Sequence, residues 1–184
     1  MAIDKRELRV SMRALRKRLA EATPDAAMRA ASFAENLPSG QMVAVYRAVG
    51  TEFDPEPLAN VLVAAGRLLC LPVAIERDAA LIFRRWSPGE PLEMDVASCP
   101  APLPLAEVVT PDLIVTPLLA FDGAGGRLGQ GGGYYDRTFA ALPDPLRIGL
   151  AFAGQRVDCL PMESHDVPLH GVLTEVGYTP ARKV

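Results

Sequence analysis

Of the 184 residues, 49% are hydrophobic and 22% are charged, the balance of a soluble globular protein. That size suits a single domain spanning residues 1–184, and it excludes a disordered tail, a collagen-like fibre and a disulfide-dominated miniprotein. The formal charge of −3 hides a split: residues 1–18 hold Lys5, Arg6, Arg9, Arg13, Arg16, Lys17 and Arg18 against Asp4 and Glu7, a local +5 that leaves −8 on the rest.

Residues 3–20 are predicted as a helix, because Leu8, Met12, Leu15 and Leu19 step by four, three and four and so draw one apolar stripe among the cations. Thr23 and Pro24 read as a cap and a first helical position, opening an Ala-rich helix through about Leu37. Met42–Tyr46 is a short apolar run of strand length. A helix follows from Pro55 to near Gly66, then a second apolar run, Leu68–Leu71, which Pro72 is expected to stop. This strand–helix–strand cadence indicates an α/β unit with a parallel sheet.

Leu81–Phe83 with Arg84, Arg85 and Trp86 reads as a further strand. Residues 88–117 hold seven of the 17 prolines and are expected to be mostly extended connection, with a strand at Asp112–Thr116. A glycine-rich loop leads to a helix from about Gly132 through Leu142, and Arg147–Phe152 and Gly171–Thr174 supply the last two strands. The fold class expected is α/β: one three-layer domain, a mostly parallel central sheet flanked by helices, and a basic amphipathic helix packed on the body.

Cys70, Cys99 and Cys159 are odd in number and widely spaced, and without a CxxC pair they suggest neither a zinc site nor a redox motif. They read as free thiols of a reducing compartment. Neither a continuous apolar signal core nor a membrane-length apolar stretch is present, so the sequence predicts a cytoplasmic protein.

Seven of the 15 glycines fall within residues 123–133, between a strand and a helix start. Backbone N–H groups at such a turn, with the positive end of the helix dipole, suit a phosphate. The loop is neither of the common nucleotide loops. GxxxxGK[ST] fails because no lysine lies between Arg85 and Lys183, and GxGxxG meets Leu128, Tyr134 or Asp136 where it needs glycine. Arg127 is a fixed cation able to fork two hydrogen bonds to a phosphate. Asp136 is either an ordinary first-turn acid or a carboxylate for Mg²⁺ bridging phosphate oxygens.

Phe121-Asp122, with the string Arg127-Leu128-Gly129-Gln130-Gly131-Gly132-Gly133-Tyr134-Tyr135-Asp136-Arg137, closely resembles the signature of the 5-formyltetrahydrofolate cyclo-ligase family. Lys5–Arg9, Tyr46 through Glu52 and Asp54, and Leu160-Pro161 through His165-Asp166-Val167-Pro168 to Glu175 resemble its other segments in order and spacing. The resemblance covers essentially the whole chain. It implies an ATP- and Mg²⁺-dependent ring closure of 5-formyltetrahydrofolate to 5,10-methenyltetrahydrofolate, with release of ADP and phosphate. The formyl oxygen is phosphorylated before N10 attacks. Such chemistry needs positioning and charge neutralisation rather than an acyl nucleophile, and the sequence offers no Ser/His or Cys/His constellation.

Position by position, the resemblance makes Lys5 and Arg9 phosphate-binding cations, on one helical face by their i, i+4 spacing. It assigns the ATP loop to Arg127, Leu128, Gly129, Gln130, Gly131, Gly132, Gly133, Tyr134 and Tyr135, of which Gln130 through Tyr134 also border the folate. Arg127, Tyr134 and Asp136 become catalytic, Asp136 and Asp166 the Mg²⁺ ligands, and Glu52 a folate-binding carboxylate flanked by Arg47. Gln130 and Gly132 stand where some members carry basic residues, so fewer side-chain cations are expected at phosphate there. His165 and His170 are expected at the surface or behind the site rather than on a metal. The partner implied is a small molecule, with neither nucleic acid nor membrane, and the chain is expected to act as a monomer.

Two other classes remain open from the residues alone. Seven cations in 18 residues could serve a nucleic-acid-binding protein or a sensor of a phosphate ligand. An α/β enzyme of the phosphosugar isomerase or acyl-CoA transferase kind would also bind phosphate.

Overall fold

The computed structural model describes residues 4–182, so an expected helix start at Ile3 lies outside the described residues. Helix α1, Lys5–Ala22, opens on Asp4, whose side chain accepts the N–H of Arg6, a regular N-cap. Thr23 closes this helix instead of opening the next: its N–H and its hydroxyl both donate to the carbonyl of Leu19. Helix α2, Ala26–Ala31, is correspondingly shorter than expected. Ser32 donates its hydroxyl to the carbonyl of Arg29, a local bond that competes with the helical ladder. The chain then tightens into a 3-10 turn at Ala34–Asn36.

Helix α3, Glu56–Ala64, has Pro55 at its N-cap, and the Asp54 carboxylate accepts the N–H of Glu56. Helix α4, Tyr134–Ala141, follows the glycine loop.

Twelve strands build the rest: β1 (Met42–Ala44), β2 (Leu68–Val73), β3 (Ile82–Arg85), β4 (Leu92–Met94), β5 (Pro100–Pro102), β6 (Val108–Val109), β7 (Leu113–Pro117), β8 (Ala120–Phe121), β9 (Arg127–Leu128), β10 (Leu146–Leu150), β11 (Gly171–Thr174) and β12 (Gly177–Pro180). Eight of them form one sheet in the order β12-β11-β10-β7-β1-β2-β3-β6. The five from β11 to β2 run parallel, and β12 and β3 join antiparallel at either side. A β4–β5 hairpin and a β8–β9 hairpin stand apart from the sheet.

Pro72 does not stop β2, contrary to expectation. It ends only the pairing with β1, whose register closes at Ala44 opposite Cys70, because proline has no N–H for the next rung. The other edge continues against β3, with Pro72 opposite Phe83. Residues 88–117 are likewise not mere connection, since they include β4, β5 and β6.

Period-two alternation sorts the core into two layers. Val43, Leu69, Leu113 and Ile148 face Ala30 of α2 with Leu58 and Leu62 of α3. Ala44, Cys70, Ile114 and Val172 face the other way, against Phe139 of α4. Burial pushes the Cys70 thiol up to about 12, which fits a packing role. A third cluster seats α1: Met12 is buried with Leu119, Leu128 and Leu160, flanked by Leu8 and Leu15.

Candidate active site

Parallel strands point their C-terminal ends the same way, and a crevice forms where successive connections leave to opposite sides. Here that point lies between β1, which leads away to β2, and β7, which leads to β10. A cleft of about 780 Å³ opens there, lined by Tyr46 beyond β1, Pro72 and Ala74 at the end of β2, and Pro117 at the end of β7. Such a volume lies in the range of small-molecule and cofactor sites.

One wall is the N-terminal half of α1. Lys5 Nζ donates to Asp166 Oδ2 at 2.7 Å and pairs with Glu163 Oε1 at 2.8 Å. Burial works against the Lys5 charge, but the bonds to Asp166 and Glu163 outweigh it and hold the ammonium above its ordinary range. Asp166 mirrors this: burial would raise it, yet Lys5 and the N–H of Glu163 keep it below the usual carboxylate range. Arg9 Nε donates to the Gly129 carbonyl at 3.1 Å. Four of the seven α1 cations, Lys5, Arg9, Arg13 and Arg16, are thus engaged with the body, so the helix does not present its full charge outward.

The glycine loop forms the floor. Asp122 sets its hairpin: Oδ1 accepts the N–H groups of Ala124 and Gly126, while Oδ2 accepts that of Leu160 at 2.9 Å. A Cβ on residue 126 would meet Asp122 Oδ2 at 2.5 Å, so only glycine fits. The loop ends on Gly133 at φ +68°, from which α4 starts; side chains other than glycine rarely adopt that backbone. Arg127, only 4% exposed at its side chain, donates Nη2 to Asp136 Oδ1 at 2.7 Å. Its guanidinium lies 5.8 Å from the Tyr135 ring centre and 5.5 Å from that of Phe139, and its buried Nε meets no acceptor among the described residues. Burial raises the Tyr135 phenol well above its ordinary value, so it stays protonated and acts as a neutral donor.

Gln130 and Gly132 are themselves braced by two arginines that do not line the cleft. Arg13 of α1 donates Nε to Gln130 Oε1 at 3.0 Å. Arg137 donates Nη2 to the Gly132 carbonyl at 2.8 Å with its guanidinium 5.2 Å from the Tyr134 ring centre. Neither arginine stood out in the sequence, because a charge on a helix is ordinarily solvated.

The turn after β1 brings Glu52 to the cleft, where its Oε2 accepts the Val49 N–H at 3.0 Å. Burial pushes its carboxyl up, opposed by the Val49 N–H, the Arg16 charge and the Gln130 side chain. Arg47 flanks it, paired with Glu56 at 3.3 Å and 5.7 Å from the Trp86 ring centre. The hairpin from Asp95 to Pro100 closes this end. Asp95 pins it by accepting the N–H groups of Ala74, Ala97 and Cys99. That segment was absent from the sequence reading, since Pro-Ala-Pro carries no strand signal.

The cleft therefore brings together Lys5, Arg9, Arg47, Glu52, the loop from Arg127 to Tyr135, Asp136 and Asp166. No group of three or more His, Cys, Asp or Glu among the described residues could hold a metal alone. His165 is exposed, 3.6 Å from Glu163 and 3.7 Å from Asp166, and His170 lies behind, its Nδ1 accepting the Arg147 N–H.

Residues 2–175 match the model of the 5-formyltetrahydrofolate cyclo-ligase family. The chain belongs to that family. It is 37% identical to the 5-formyltetrahydrofolate cyclo-ligase of Escherichia coli K12 over 142 residues, 72% of this chain and 76% of that one. It is 36% identical to the Mycolicibacterium smegmatis cyclo-ligase over 145 residues, 74% of each. The NMR structure of Aquifex aeolicus 5,10-methenyltetrahydrofolate synthetase superposes with a TM-score of 0.82 at 29% identity, covering 98% of this chain and 94% of that one. Membership of the cyclo-ligase family makes the protein a ligase. No helix among the described residues is long and apolar enough to cross a membrane.

Proposed function

We propose that this cyclo-ligase closes 5-formyltetrahydrofolate to 5,10-methenyltetrahydrofolate at the expense of ATP. The reading rests on one observation: a cation-rich phosphate cradle and the carboxylate Glu52 line a single cleft. A formamide oxygen is a poor leaving group until it is phosphorylated. In the proposed sequence that oxygen takes the γ-phosphoryl group and ADP leaves. N10 then attacks the formyl carbon and loses its proton, and the C–O bond breaks to release phosphate.

Lys5, Arg9 and Arg127 neutralise charge on the phosphates, and the backbone N–H groups from Gly129 to Gly133 approach them closely. Glu52 accepts from the N–H-rich edge of the pterin, with Arg47 beside it. Tyr134, by its aromatic face, and Tyr135, as a neutral phenol, orient the reacting groups.

Asp136 and Asp166 suit Mg²⁺: both are hard oxygen donors on the same cleft, and that ion takes one or two protein carboxylates, completing its shell with phosphate and water oxygens. When bound, Mg²⁺ neutralises phosphate charge and fixes its geometry. The cleft draws on residues 5 to 166 of one chain, which supports a single domain acting as a monomer. Three unpaired cysteines support a reducing, cytosolic setting.

The test mixes purified protein with 5-formyltetrahydrofolate, ATP and Mg²⁺, and follows methenyltetrahydrofolate absorbance. Product is expected only when all three are present. A folded protein that forms none refutes the reading.

A further inference from the structure

Arg16 does not line the cleft, yet it is the most unusual charge on α1. It lies within the apolar stripe, four residues after Met12 and three before Leu19, and is only 5% exposed. A guanidinium so placed loses its hydration and needs compensation. No carboxylate among the described residues lies within 4.0 Å of it. Its hydrogen bonds are long: Nε to Thr51 Oγ1 at 3.3 Å and Nη1 to the Leu118 carbonyl at 3.5 Å, and bonds of that length are weak.

Thr51 is the neighbour of Glu52. That carboxylate is half-buried, held through Val49 N–H, and has no cation within ion-pair distance among the described residues. Two opposite charges thus stand in low-dielectric surroundings, separated by a short turn that one of them grips. We propose that Arg16 is a positioning residue for the folate subsite: it clamps the 49–52 turn through Thr51 and supplies the countercharge of Glu52 from behind. The inference rests on the reading that Glu52 receives the pterin.

The groups facing Glu52 are few. Arg16 comes from α1, the Gln130 amide from the glycine loop, Tyr46 from beyond β1, Tyr135 from α4, and Cys99 from the β4–β5 turn. Burial pushes both phenols and the Cys99 thiol up, and Arg47 alongside is paired with Glu56, so near neutral pH the one charge among these groups without a paired countercharge is the Arg16 guanidinium. Without it, Glu52 takes up a proton at higher pH, and a protonated carboxyl no longer offers two acceptor oxygens.

The experiment measures affinity for 5-formyltetrahydrofolate by calorimetry without ATP, from pH 5.5 to 8.5, beside the KM for ATP. Arg16→Gln, which removes the charge and keeps a polar group, is expected to move the acid-side midpoint of folate affinity up by about one pH unit, up to about tenfold in affinity at a pH below both midpoints. Arg16→Lys should restore the midpoint, and KM for ATP should hold in both. Thr51→Val, which loses the clamp and keeps the charge, should weaken folate binding about two- to fivefold at every pH with no shift in midpoint. An unmoved midpoint in Arg16→Gln overturns the proposal, as does an equal loss for ATP and folate. If circular dichroism shows Arg16→Gln unfolded, wild-type folate affinity in Thr51→Val overturns it instead. Glu52→Gln separates the two levels. Wild-type affinity there removes the pterin role of Glu52 and this inference with it; weakened binding there, with the Arg16→Gln midpoint unmoved, removes this inference alone.

Discussion

The two ends of the cleft handle charge in opposite ways. At the phosphate end each carboxylate already has a cation in contact: Asp166 with Lys5 and Asp136 with Arg127, both at 2.7 Å. At the folate end Glu52 and Arg16 are comparably withdrawn from water, yet no ion pair joins them. A paired end can exchange partners as a highly charged ligand arrives, with no isolated charge left behind at any stage. An unpaired carboxylate, by contrast, keeps its lone pairs for the N–H groups of a neutral ring. Under the proposed assignment, the phosphate end suits exchange and the folate end suits readiness.

The sharpest break in this comparison comes at Arg127. Arg127→Ala and Asp136→Ala should each lower kcat about 10²- to 10³-fold, the usual cost of losing one transition-state donor or its equivalent, with circular dichroism unchanged. Full activity in both would remove the phosphate and Mg²⁺ assignments together. Next is the α1 wall. Lys5→Ala with Arg9→Ala should raise KM for ATP at least tenfold while KM for folate moves much less; an unchanged nucleotide dependence would show that these cations only dock the helix.

The smallest effect is on stability. The low-lying Asp166 carboxyl contributes stability above the ordinary Asp range that is lost as pH falls through its folded value. The raised Lys5 ammonium contributes below its ordinary range and loses that contribution as pH rises through its folded value. Denaturant titrations of wild type and Asp166→Asn should therefore differ by up to about 1 kcal/mol at neutral pH, begin to converge at about pH 4 and meet only below the folded value of Asp166. A gap that persists in acid would contradict the linkage.

How much of this was readable beforehand follows from what each segment had to satisfy. A strand buried on both faces, such as β7, must be a near-continuous apolar run, and it reads as such. So does α1, whose stripe of Leu8, Met12, Leu15 and Leu19 is packed as expected. The β4–β5 and β8–β9 hairpins do not, because two or three residues of strand carry no period and β5 is Pro-Ala-Pro. Thr23 was assigned to the wrong helix because a short hydroxyl side chain can bond a carbonyl behind it or an N–H ahead. In the site, the glycine loop declares itself by composition, whereas Asp122 enters only as part of the family signature and its three N–H partners reveal an anchor. Arg16 could have been found: a lone charge inside an otherwise apolar helical stripe is a buried charge unless the stripe is wrong.

Lys5 and Asp166 lie 161 positions apart in sequence, and Arg9 and Gly129 lie 120 apart. Helix α1 thus waits for the loop around Asp166 before its wall of the cleft can close, while chain elongation adds about 5–20 residues each second. Its cations stay solvated for those seconds, and a truncated polypeptide would lack the acidic half of the cradle. The cradle is thereby complete only once the chain has grown as far as Asp166.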